Sequence, residues 1–478
     1  MMGPADGLRR IWFSVIQGGA AFGALATNTK VLTLVMNVVE KIVMIARHFL
    51  VRIKRQMAMF PVSRLLVMAV ALAVGFAWSL GSTVRVAVAD DLPSQVLENV
   101  PGNVIYHSPA TSGIYLGSAG IVQLDDGTLL AKCDEFGPSS SEHESAITHV
   151  FRSDDGGKRW RHVARIDGLF WSNIFVHRGG VYQMGTTKHH GLTVILRSDD
   201  KGVTWTKPVD AKSGLLTPTG QYHTAPMPVI IHAGRIWRAM EDASGGEQWG
   251  QRYMACMFSA PVDSDLLDAS SWTISNRLAR DAHWLDGDFG GWLEGNAVVT
   301  PSGHVVDILR VAHDRGGKAA IVDISDDGKT ASFDPQTGFI DFPGGAKKFT
   351  IRYDEPSKRY WSLVSIVRPA YRQFKASSVR NTLALASSPD LRQWTVHDTV
   401  LQHDDHLKHG FQYVDWYFDG DDLVAAIRMA YDDGMGGAHN AHDANFLTCM
   451  RITGFRHRGH AENAAENAAE NISVPAKE

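Results

Sequence analysis

Ser153-Asp154-Asp155-Gly156-Gly157-Lys158-Arg159-Trp160 and Ser198-Asp199-Asp200-Lys201-Gly202-Val203-Thr204-Trp205 are two copies of one octamer, S-x-D-x-G-x-x-W. In a tight turn the Ser and Asp side chains are suited to bond backbone amides, the Gly supplies a positive φ, and the Trp acts as an apolar plug. Each copy follows a strand-like run, and the two lie 45 residues apart, so they read as a structural repeat.

Outward from these turns, apolar β-branched runs flank polar or Gly turns at Asp126-Gly127, Gly179-Gly180, Ala233-Gly234, Ser302-Gly303, Pro356-Ser357 and Asp419-Gly420. Degenerate relatives of the octamer follow the fourth and fifth hairpins, at Ser325-Asp326-Asp327-Gly328 and at Ser387 to Trp394. Helical periodicity is absent. Six similar hairpins, each completed by two more strands, predict an all-β fold: a six-bladed β-propeller of four-stranded antiparallel blades.

The ends differ from this middle. Residues 1–56 read as an upstream extension, and 57–89 as a signal peptide: Arg64, an apolar run from Leu65 to Val74, then the small-x-small site Ala87-Val88-Ala89. That predicts a mature chain starting near Asp90 and a secreted or periplasmic location. A second apolar segment, from Val31 to Ile45, leaves a membrane anchor as the alternative. The propeller is expected over residues 90–456, and the Ala-Glu-Asn repeats within 457–478 read as a low-complexity tail. A net charge of -4 gives no hint of a nucleic-acid partner, and three cysteines allow at most one disulfide.

Strand alternation assigns the faces. The start of strand one, the end of strand two and the start of strand three of each blade share one face, and the octamer turns lie on the other. The shared face receives loops rich in His, Asp, Glu, Arg and aromatics, which marks it as the candidate site.

With these motifs in place, the chain resembles the sialidase (neuraminidase) superfamily, whose BNR repeats carry the octamer as an Asp-box. The likeness extends to Glu294, Val298-Val299, Gly303 and Arg310, matching a family turn with an Arg sixteen residues after its Glu. Arg380 before the strand Asn381 to Ser387 looks like the family's fifth blade, and Tyr413 before the hairpin at Asp419-Gly420 looks like its sixth. Glu142, eleven residues before the first octamer, stands where the family has an acid/base Asp.

The resemblance implies an exo-α-sialidase-like retaining hydrolase acting on terminal acidic sugars. Tyr413 would be the nucleophile, Glu294 its base and Glu142 the acid, with Arg310 and Arg380 on the substrate carboxylate. Asp134, His189 and His223 complete the expected substrate-binding set. No cofactor and no metal is expected, and a carbohydrate is the expected partner. One family feature is missing: the blade-one segment Tyr115 to Val122 lacks the Arg that would complete a three-Arg clamp. Arg235, Arg238 and Arg368 are the available substitutes.

Two other readings stand beside this one. His143, His149, His189, His190, His223, His406, His409, His439 and His442 crowd the same predicted face, as a propeller lyase using His and Tyr on uronic-acid glycans would require. Trp171, Trp249, Trp284, Trp292 and Trp416 would equally serve a non-catalytic carbohydrate-binding propeller.

Overall fold

The computed structural model describes residues 98–313 and 316–459; the extension, the signal peptide and nearly all of the tail lie outside them. Among the described residues, six antiparallel sheets follow one another as six propeller blades. Each of the six expected hairpins joins the first two strands of a blade, from Tyr115–Gln123 with Leu129–Phe136 to Gly410–Asp419 with Asp422–Ala430. The helical segments in this region are 3-10 turns of three or four residues, apart from a helical stub at its N-terminal edge, and none is long and apolar enough to cross a membrane.

The blades are less regular than four equal strands. Blade two has three, Phe170–His177, Gly180–Thr186 and Thr193–Ser198. Its fourth position is held by irregular chain, through Thr206 N to Arg197 O and Ile195 N to Gly214 O. Blade six is completed from the other end of the chain. Asn103–His107 pairs antiparallel with Phe446–Ile452, so the first described strand closes the ring.

The octamer turns form as their side chains dictate. Ser153 Oγ accepts from Gly157 N (2.9 Å), Asp155 accepts from Arg159 N (2.9 Å), and the Trp160 indole donates to Gly157 O (3.0 Å). The second turn repeats these bonds with Ser198, Asp200 and Trp205. In the fifth-blade relative, Leu391 takes the left-handed backbone at φ 69° that Gly157 takes in the first. Lys201 reaches Asp126 of a hairpin turn at 2.5 Å, which puts octamer and hairpin turns on one face, opposite the candidate site.

Near the ring axis, neighbouring blades are tied through charged side chains. The first strands of blades one, two, four and six each carry a bulge, after Gly117, Phe170, Leu293 and Gln412. The residue in the bulge is left-handed in every case: Ser118 (φ 46°), Trp171 (50°), Glu294 (52°) and Tyr413 (52°). Such bulges re-aim side chains. Those of blades two, four and six are held from the adjacent blade, and the blade-one strand is held just past its bulge. Asp134 accepts from Trp171 N (2.7 Å), and Glu241 from Gly295 N (3.0 Å). Lys348 donates to Val414 O (2.7 Å), and Asp415 accepts from Ile121 N (3.1 Å). Gly295 admits no side chain, because a Cβ there would lie 2.1 Å from Asp307 Oδ1.

Candidate active site

The bulges of blades four and six bring two of the expected residues together. The Tyr413 hydroxyl donates to Glu294 Oε1 at 2.7 Å, and Arg310 donates to the other oxygen at 2.9 Å. Glu294 is buried, whereas Tyr413 is partly buried and lines a cleft. Arg380 arrives from the loop before the third strand of blade five and bonds Gln412 at 2.5 Å. The cleft, about 570 Å³, is lined by Trp249, Arg310, Arg380, His406, Tyr413 and His442 among others.

The electrostatics separate the acid from the phenol. Burial alone would raise the Glu294 carboxyl, but Arg310 and the Tyr413 hydrogen bond outweigh it and hold the pKa below the ordinary glutamate value. Burial and the Glu294 charge raise the Tyr413 phenol, opposed by Arg310, Arg428 and Arg380. At rest the proton sits on the phenol and the charge on the carboxylate. Burial pulls Arg380 down to about 9, which still leaves it cationic at neutral pH.

Arg428 is a residue the sequence reading missed. Its guanidinium lies 4.7 Å from the centre of the Tyr413 ring and 4.6 Å from that of Phe136 in blade one, and it donates to His442 O. A signal existed: Arg428 pairs with Gln412, the residue before the Tyr413 bulge, as Arg310 pairs with Leu293, the residue before the Glu294 bulge. The Nε atoms of Arg310, Arg380 and Arg428 are all buried without a partner. A buried donor without a partner costs free energy until one is supplied. The three substitutes read from sequence are committed elsewhere: Arg238 to Asn173, Ala225 O and Ala239 O, Arg235 to Ser259, and Arg368 to His403 O, Asp404 and Tyr371.

Glu142 sits in the loop after Phe136, paired with His143 at 3.1 Å, and burial raises its carboxyl above the ordinary value. Asp443 acts electrostatically on both Glu142 and Arg428, but Glu142 is not among the residues that line the Tyr413 cleft.

Other expected residues are placed differently. Asp134 is fully buried, and its two oxygens accept from Lys132, Thr148 and Trp171 N, so it braces the blade-two bulge instead of meeting a ligand. His223 is buried with Nδ1 on Glu241 (2.8 Å) and its ring stacked on Tyr253 at 4.2 Å. His189 lies half-buried against Trp171, His143 and His190. Of the tryptophans, Trp292 and Trp416 are core residues, while Trp249 is 54% exposed. Trp249 also borders a second cavity of about 360 Å³ that shares Arg310 with the first. All three cysteines are free and buried, so no disulfide forms.

No protein-family profile matches the chain, and no curated protein matches it. Solved structures do. A Penicillium chrysogenum α-L-arabinanase complexed with arabinobiose is 13% identical with a TM-score of 0.46, over 74% of this chain and 98% of that one. A Hadza microbial sialidase is 14% identical, TM-score 0.49, over 74% and 68%. Trypanosoma rangeli sialidase in complex with sialic acid is 14% identical, TM-score 0.48, over 79% and 64%.

Proposed function

We propose that this protein is a secreted, retaining exo-α-glycosidase of the sialidase type, removing a terminal acidic sugar from a glycan or polysaccharide. The observation that carries the reading is the line Tyr413–Glu294–Arg310, with a phenol, a carboxylate and a guanidinium in hydrogen-bond contact at a cleft. A neutral tyrosine suits attack beside a substrate carboxylate, where an anionic nucleophile would be repelled, and sialidases are the known exception to the two-carboxylate scheme.

In this reading the Tyr413 oxygen attacks the anomeric carbon as its proton passes to Glu294, and Glu142 gives its proton to the departing oxygen. Water then attacks the glycosyl-tyrosine carbon and loses a proton to Glu142, while Glu294 returns the first proton to Tyr413. Arg310, Arg380 and Arg428 receive the sugar carboxylate with charge-assisted bonds. Arg428 approaches blade one through Phe136, the side on which the blade-one arginine is missing.

The test is a screen of the mature protein, residues 90–478, against a panel of released acidic oligosaccharides. Substrate turnover followed by intact-mass detection of a glycosyl adduct on Tyr413 supports the reading, and its absence on a turned-over substrate overturns the mechanism. N-terminal sequencing of exported protein tests the secretion half; a start before Met57 would sink it.

The lyase reading has one His–Tyr pair to draw on: His190 Nε2 lies 2.9 Å from the Tyr253 hydroxyl, and a β-elimination would employ such a pair as base and acid, but Tyr253 is fully buried. Products with an unsaturated uronate absorbance would select it.

A further inference from the structure

Two loops of the site face carry a second constellation. Glu142 and His143, from the loop between strands two and three of blade one, meet His189 from the equivalent loop of blade two. One donor atom of each lies within 4.8 Å of the others, the one such three-residue group among the described residues. The His143 and His189 rings are 4.6 Å apart, and His143 Nε2 is 3.1 Å from Glu142 Oε1. The two loops are fastened together by backbone, His189 N donating to Glu142 O at 2.7 Å.

A plain ion pair between Glu142 and His143 leaves His189 unexplained. Its Nδ1 is buried with no hydrogen-bond partner, and a buried polar nitrogen in that state costs free energy until something binds it. His439, His442 and Asp443 do not bring one donor atom of each within 4.8 Å of one another.

We infer that Glu142, His143 and His189 form a binding site for one divalent cation of the zinc class, with two imidazole nitrogens and one carboxylate oxygen as ligands and a fourth position open to solvent. Three ligands of this type with an open position are an established zinc arrangement. Nitrogen donors favour zinc and its late first-row neighbours over magnesium or calcium. The site rests on geometry alone. Its consequence for catalysis rests on the glycosidase reading: a ligating Glu142 is ionised and has no proton to give, so the bound metal would inhibit.

Isothermal titration calorimetry of the chelator-treated protein with Zn²⁺ needs no substrate, and so is independent of that reading. One equivalent should bind, and Co²⁺ should give the visible absorption of a four- or five-coordinate ion. His143→Ala, at an exposed side chain, should abolish the binding phase with an unchanged melting curve; His189→Ala should do the same if it folds. His439→Ala should bind as the parent does. Absence of stoichiometric binding, or binding that survives His143→Ala, overturns the site. So does binding lost in His439→Ala.

Discussion

Tyr413 and Glu294 share more than their 2.7 Å hydrogen bond: each stands at φ 52° in a bulge of its blade's first strand. Left-handed backbone at a non-glycine residue costs free energy of order 1–3 kcal/mol. The surrounding structure maintains it twice over. Glu241 holds the amide after Glu294, and Lys348 with Thr350 holds the carbonyl after Tyr413. The geometry of the pair is therefore set by backbone.

Removing either partner chemically, without disturbing that backbone, should stop turnover. Tyr413→Phe and Glu294→Gln are each expected to lower kcat on the order of 10²-fold or more. His223→Ala should cost far less. Steady-state kinetics on the substrate from the screen decides. An active Tyr413→Phe alongside a dead His190→Ala would transfer the chemistry to the His190–Tyr253 pair.

Arg428 should behave as a clamp residue. Loss of a charge-assisted bond is worth about 1.5–3 kcal/mol, so Arg428→Met should raise KM for an acidic substrate by roughly tenfold or more. A neutral substrate analogue should be indifferent to the change. Arg235→Ala, bound to Ser259 away from the cleft, should leave KM alone, and equal effects of the two substitutions would remove Arg428 from the clamp.

The acid side of the pH profile follows from Glu294. Its folded pKa is depressed, so the ionised base persists above that pKa and is lost as pH falls through it. Activity should decline only below the ordinary glutamate range. Arg310→Met removes the guanidinium that depresses the group, and the limb should move to higher pH. A limb that stays put would mean another group sets it.

The octamer turns should answer to stability and not to chemistry. Trp160 is buried among Leu129, Phe151 and Leu447, whereas Trp205 is only partly buried. Trp160→Ala is expected to destabilise by about 3–5 kcal/mol, and Trp205→Ala by less. Thermal melts that rank them in reverse would contradict the packing.

What the sequence displayed, and what it hid, follows from range. The turn at Asp126-Gly127 and the octamers are local devices: Gly and Asp specify them within a few residues, so six hairpins were readable. Glu294 and Arg310 were readable because one hairpin fixes their spacing. Arg428 needs the register of a bulged strand, in which Gln412 and not Tyr413 is its partner. Asp134 looked like an acid available to a ligand. Only the neighbouring blade reveals that Lys132, Thr148 and the Trp171 amide consume it. Trp292 and Trp416 failed likewise, since a tryptophan's burial depends on what packs across from it.

The pairing of Asn103–His107 with Phe446–Ile452 has a consequence for the order of events in the cell. The first described strand is translated early and finds its partner only when almost the whole chain has been made. Until then the sixth sheet lacks its rim, and an unpaired strand edge is a template for association with other chains. Ring closure is therefore a late, long-range step, and chains ending before Phe446 have no means of completing it. Such truncated chains should aggregate instead of accumulating as five-bladed rings.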